Sequence, residues 1–96
     1  MLDGVTSLLA AGMQNWSQDL IDVTVAHNRK VRPLAGVRHH HLRDRGDIIA
    51  AGLPRTKPDL AVVRGAQWAA TDRQAATIVA MAVQQRLVHP TALLAR

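Results

Sequence analysis

The stretch from Ala70 to Leu94, ATDRQAATIVAMAVQQRLVHPTALL, constrains this chain more than any other. It is the longest uninterrupted helical pattern and holds the densest run of apolar residues. Its start is marked, because Thr71 precedes Gln74 by the spacing of a capping box, in which the Thr hydroxyl accepts from the Gln74 N–H and the Gln side chain reaches back. Ala75, Ile78, Val79, Ala82 and Val83 fall on one broad face. The helix is therefore expected to run to about Leu87 and to be the surface that everything else packs against. His89 and Pro90 break the pattern, and residues 91–95 read as one more helical turn.

What can pack there is limited. The chain has 96 residues, enough for one domain, and a chain of this size buries only about 60–65% of its unfolded surface. It has no Phe and no Tyr, so two Trp, the branched aliphatics and sixteen Ala must supply the core. With no Cys, disulfides and thiolate metal sites are excluded. A small domain without such staples fits a reducing cytoplasm, which is the expected location. The amino terminus lacks a basic segment followed by a long apolar one, and no run approaches about 18 apolar residues. Neither a signal peptide nor a membrane span is expected.

Ahead of the long helix, residues 1–13 carry Leu2, Val5, Leu8, Leu9 and Gly12 on a helical stripe. Residues 14–19 read as a polar loop anchored by Trp16. Residues 20–26 give the clearest strand, with Ile21, Val23 and Val25 alternating with Asp22 and Thr24, so that an apolar face is expected inward and a polar face outward. A basic turn from His27 to Pro33 is closed by Gly36, and residues 37–42 are expected to return antiparallel. Short strands follow at 47–51 and 53–55. Thr56, Pro58 and Asp59 form a second helix start, with Leu60, Val63, Ala66 and Gln67 near one face up to about Trp68. Gly65 inside this helix costs roughly 1 kcal/mol against Ala unless it marks close helix–helix packing. The expected fold class is α+β: an N-terminal helix, a small antiparallel sheet of three to four strands, two helices and a short C-terminal helical turn, forming a single module over residues 1–96.

No catalytic constellation emerges. The seven Asp are scattered, there is no Glu, and the close pair Asp44 and Asp47 has neither a third acid nor a matched Lys. Ser7 and Ser17 lack a nucleophile context, and the six glycines form no phosphate-cradling loop. His39, His40 and His41 invite a metal reading. On a strand, however, only His39 and His41 share a face, and two ligands do not complete a site; no metal and no cofactor are expected. The charge is the stronger signal. The chain carries +5, and nine of its twelve Lys and Arg lie between positions 29 and 64. Arg29, Lys30, Arg32, Arg38, Arg43 and Arg45 are the candidates for a phosphate-contacting face. Aromatic residues are missing from that patch, which argues against a reader that stacks single-stranded bases.

The order of these segments resembles a family of bacterial, mainly actinobacterial, proteins related to AbiEi-type antitoxins. Asp22-Val23-Thr24-Val25 is similar to the family's "HVTV" strand, and Gly36-Val37-Arg38-His39-His40 to its "GVRVHR" strand. Gly52-Leu53-Pro54 with Thr56-Lys57-Pro58 resembles the start of "GIPVTTPARTLLDLA", and Leu87-Val88-His89-Pro90 resembles "GLVTP". The usual Arg-Thr pair falls on Leu60-Ala61 and the usual Asp on Arg64, which predicts the loss of an internal ion pair or helix-end contact.

The resemblance covers nearly all of the chain, yet only the middle module of such proteins. A winged helix–turn–helix domain precedes that module, and in many members a domain resembling very-short-patch repair endonucleases follows. Residues 1–15 would then be the tail of the winged domain, and the chain a truncated member. The implied function is a non-catalytic, regulatory, antitoxin-like module associated with a DNA-binding transcriptional regulator. The alternative is a module that positions an endonuclease-like domain. The implied partners are DNA, through the basic face, and a cognate nucleotidyltransferase toxin. Truncation also predicts self-association through apolar surface left at Leu8, Leu9, Trp16 and the Ala75–Val83 helix face.

Overall fold

In the computed structural model, residues 1–26, 28–43, 48–49 and 54–94 are described. The element order is α1 (Gly4–Ala10), β1 (Ile21–Ala26), β2 (Val37–Leu42), β3 (Ile48–Ile49), β4 (Arg55–Thr56), α2 (Pro58–Gln67), α3 (Asp72–Gln84) and α4 (Pro90–Leu94). The α+β class and the N-terminal helix hold. The sheet differs from the expectation in its principal pairing, because β1 and β2 run parallel, from Ile21 opposite Val37 to Ala26 opposite Leu42. The connection, residues 27–36, is too long for a tight hairpin turn. Extended, it spans up to roughly 33–36 Å, more than the roughly 20 Å needed to run back along a six-residue strand.

β3 and β4 form a separate antiparallel pair, Ile48 opposite Thr56 and Ile49 opposite Arg55. The remainder of the two short expected strands, Asp47, Ala50, Ala51 and Leu53, lies outside the described residues. Leu2 links the two pairs, bridging antiparallel to Val23 and parallel to Arg55. Its N–H donates to Pro54 (2.9 Å), while its carbonyl accepts from Thr56 (2.9 Å). Asp3 and Met1 extend the contact, as the Asp3 N–H donates to the Asp22 carbonyl and the Thr24 N–H to the Met1 carbonyl.

The expected order of importance among the helices is reversed. α1 lies against β1 and β4, α2 packs on α1, and α3 packs on α2. The long helix thus forms the outer layer, burying only Ile78 and Ala82. The core joins Val5, Leu8, Met13, Ala61, Val62, Ile78, Ala82 and Val88. On α2 the buried positions are Ala61, Val62, Arg64 and Gly65 rather than the expected Leu60, Val63, Ala66 and Gln67. Leu8 is fully buried, and Leu9 and Trp16 pack against the core, so they leave no apolar patch of the predicted kind. Among the described residues, the exposed large apolar side chains are instead Leu20, Ile21, Val31, Leu34 and Leu94.

Close approach explains the α1–α2 contact. Gly4 has φ +54, and a Cβ there would stand 2.9 Å from Trp68 Cε3 and 3.6 Å from the Gly65 Cα. At Gly65 a Cβ would meet Val5 Cγ2 at 3.1 Å and the Val5 N at 3.2 Å. Gly65 therefore marks helix–helix contact. Both α1 and α3 end in Schellman hydrogen bonds. After α1, Gly12 (φ 107) donates to Leu9 and Met13 to Leu8; after α3, Arg86 (φ 59) donates to Val83 and Leu87 to Ala82. Each helix therefore stops about three residues short of its expected end.

The capping box at Thr71 forms, with its hydroxyl accepting from the Gln74 N–H at 3.1 Å; the Gln74 side chain reaches one residue further back, to the Ala70 N–H. Thr56 does not cap α2. It belongs to β4, with its Oγ1 buried and unpartnered, and Lys57 occupies the cap position without a side-chain capping bond. No helix among the described residues is long and apolar enough to cross a membrane.

Candidate functional site

The inward face of the sheet is polar. Asp22 and Thr24 are 1% and 0% exposed, whereas Ile21 is 47% exposed and Val23 and Val25 are half-buried. The alternation of β1 is as expected, but its orientation is inverted. The reason lies in the partners that α1, α2 and β2 supply. Asp22 lies opposite Arg38, and Thr24 opposite His40. One Asp22 oxygen accepts from Arg38 Nε (2.6 Å) and His40 Nε2 (2.9 Å), and the other from Arg38 Nη2 (3.1 Å) and Gln18 Nε2 (3.0 Å).

Burial pulls the Asp22 carboxyl upward, but the hydrogen bonds and charges of Arg38 and His40 outweigh it, and the carboxyl sits below its ordinary value. It is therefore an acceptor only, which makes His40 Nε2 the donor. The same pairing raises the Arg38 guanidinium above its usual range. The His40 ring stacks on Trp68 with centroids 3.5 Å apart and planes 6° from parallel.

A second buried carboxylate completes this face. Asp3 accepts from the Gly4 N–H at the start of α1 (2.7 Å), from the Thr24 hydroxyl (2.9 Å) and from the Arg64 guanidinium of α2. Arg64, where the resemblance predicts a lost ion pair, thus makes an internal one with a different partner. Sequence reading singled out neither Asp3 nor Asp22 as a site. The signal that could have found them is a carboxylate two positions from Thr24 on the strand and another immediately before a helix with glycine at its first residue.

A cleft of about 360 Å³ opens beside this network, lined by Trp16, Gln18, Asp22, Arg38, Trp68 and Ile78 among others. Its carboxylate is saturated by four donors and held ionised. That arrangement suits a fixed structural charge rather than a general base, which needs an open acceptor and a pKa near the working pH.

The candidate phosphate contacts divide. Arg38 is withdrawn from the patch by Asp22. Arg45 lies outside the described residues. Arg29, Lys30, Arg32 and Arg43 are exposed, and no carboxylate among the described residues engages them. Parallel pairing decides their grouping. Ala26 is level with Leu42, the Arg29 N–H turns back to the Ala26 carbonyl at 3.0 Å, and Arg43 follows Leu42 directly. Arg29, Lys30 and Arg43 therefore leave the sheet at one edge, the carboxyl end of both strands; in the expected antiparallel hairpin they would have stood at opposite ends. Arg32 lies further along the returning connection.

His39 and His41 share the outward face opposite Val23 and Val25, while His40 points to the core. Among the described residues no three His, Asp or other ligating side chains converge on one point. Comparison with protein-family models, curated proteins and solved structures finds no match.

Proposed function

We propose that this chain is a non-catalytic interaction module that meets nucleic-acid phosphate through the carboxyl edge of the β1–β2 pair, in a regulatory, antitoxin-like role beside a DNA-reading domain. The observation that carries the reading is the meeting of Arg29, Lys30 and Arg43, exposed and engaged by no carboxylate among the described residues, at one edge of a chain with net charge +5. Unpaired cations on one edge attract phosphate and displace its counterions, giving affinity without sequence readout. Recognition of a specific site would fall to the companion domain, and the protein partner implied by the resemblance is a nucleotidyltransferase toxin.

The test is fluorescence anisotropy with a labelled DNA duplex of about 20 bp, between about 50 and 200 mM salt. Binding should weaken steeply with salt. The triple variant Arg29→Ala, Lys30→Ala, Arg43→Ala should lower the log–log salt slope by about three and weaken binding equally across sequences. Arg73→Ala, on the exposed side of α3, should change the slope by less than one. Salt-insensitive binding, or a triple variant that matches the wild type, would overturn the reading.

A further inference from the structure

The outer edge of β2 has the chemistry of half a metal site. Ile21, opposite Val37, donates its N–H to the Gly36 carbonyl at 2.7 Å. In a parallel ladder, alternate residues of a strand turn their backbone groups toward the neighbour. Positions 36, 38, 40 and 42 of β2 therefore face β1, and Val37, His39 and His41 turn their N–H and C=O groups away from it. At the start of that edge the Val37 N–H is taken by the Leu34 carbonyl at 3.2 Å, and among the described residues none pairs with it at His39 and His41. The imidazoles of His39 and His41 stand on the outward face, His41 exposed and His39 half-buried, and neither has a hydrogen-bond partner among the described residues.

An edge with open backbone groups at His39 and His41 is a template for another strand, and a second copy of β2 fits it in a defined register. In a two-fold antiparallel pairing centred on His40, outward-facing residues meet outward-facing ones. His39 stands opposite the other copy's His41, so the backbone hydrogen bonds of the two His39–His41 pairs close, while Val37, whose N–H is held by Leu34, meets the other copy's Arg43 with only its carbonyl open. Arg38 comes level with Leu42 rather than with another cation. On one face this register gathers four imidazoles. Same-strand neighbours are about 6.7 Å apart along the chain, and cross-strand neighbours have Cα atoms about 5.5 Å apart. Imidazole side chains that spaced can converge on one ion with metal–nitrogen distances of about 2.0–2.1 Å. One chain alone supplies only two ligands.

We infer that His39 and His41 of two copies bind one divalent transition-metal ion of the zinc class between antiparallel β2 edges, so that the metal both completes its tetrahedral shell and sets the register of a dimer. Imidazole suits zinc, copper and nickel, and an all-nitrogen tetrahedral set favours zinc. The occupant of the edge is thus a second copy of this chain, and the histidine run, inert in the monomer, is the interface.

The experiment is sedimentation velocity of the full chain with Zn²⁺ added or with chelator present, together with calorimetric stoichiometry. Zinc should shift the mass from 10.4 kDa toward twice that value, at one ion per two chains. Co²⁺ in its place should give the intense visible absorption of a tetrahedral site. His39→Gln and His41→Gln should each abolish the shift with an unchanged far-ultraviolet dichroism spectrum, since both side chains lie outside the core. His89→Ala should retain the shift. A dimer that forms equally well with chelator, one zinc per monomer, or His39→Gln and His41→Gln variants that still dimerise with zinc would each overturn the inference.

Discussion

Asp22 is 1% exposed and still ionised, and the cost of burying its charge is met by four hydrogen-bond donors around one carboxyl group. Its carboxyl is held below the ordinary value mainly because Arg38 and His40 outweigh burial. A group whose folded pKa is depressed contributes stability that is present above the unfolded pKa and is lost as pH falls through the folded value. The window here lies below about pH 4. Asp22→Asn should therefore cost about 1–3 kcal/mol at neutral pH, from donors left unpaired near Arg38, and should flatten the acid limb of the stability curve. Urea denaturation at pH 7 and pH 3 measures both effects. If the variant loses as much stability on acidification as the wild type, the acid sensitivity belongs to another carboxylate. Arg38 is 41% exposed in its side chain, so solvent screening keeps the effect at the lower end of what a buried pair would show.

At the scale of the elements, the alternation of β1 and the Thr71 cap were legible in the residues, but which face turns inward was not. A period of two is satisfied equally by either orientation. What breaks the tie is the set of long-range partners for Asp22 and Thr24, which come from Arg38, His40 and Asp3, separated from them by up to 21 positions. Two substitutions distinguish the orientations. Thr24→Val takes a donor from the buried Asp3 carboxylate and should destabilise by about 1–3 kcal/mol, although it makes the strand more apolar and β-prone. Ile21→Thr alters a side chain that is 47% exposed and should stay within about 0.5 kcal/mol. An apolar-face-inward strand requires the reverse order, so thermal or chemical denaturation of the pair decides it.

The helix ends show a second limit of the same kind. Gly12 in the left-handed region is a readable stop, whereas Arg86 holds the same conformation with a side chain that gives no such signal. The basic patch was legible as composition. Its division into an engaged Arg38 and an open edge needed the strand direction, which a ten-residue connection does not reveal, because its Pro33 and Gly36 suit a return in either sense.

For the molecule as a whole, the N-terminal segment is the seam. β1–β2 and β3–β4 share no ladder among the described residues and meet only where Leu2 bridges Val23 on one side and Arg55 on the other. The chain reaches a Cα radius of gyration of 12.8 Å, close to the roughly 12.5 Å expected of a compact chain of this length. That compactness therefore depends on a segment that sequence periodicity assigns to a helix. Leu2 is the first apolar position of a helical stripe in the sequence, and the pattern of Leu2, Val5, Leu8 and Leu9 fits a helix as well as a strand residue followed by a helix. The observed helix begins at Gly4, after Asp3 has accepted the Gly4 N–H.

Leu2→Pro removes the donor to the Pro54 carbonyl and should cost about 1–3 kcal/mol. Leu2→Ala keeps the backbone bonds and loses only a half-buried side chain. Native-state hydrogen exchange separates the two effects. The Thr56 amide, which donates to the Leu2 carbonyl at 2.9 Å, should lose protection in the proline variant and keep it in the alanine variant, while the amides paired between β1 and β2 stay protected in both. Loss of protection throughout the sheet in the proline variant would instead make the seam part of a single cooperative unit, with β1–β2 unable to persist once β4 is released.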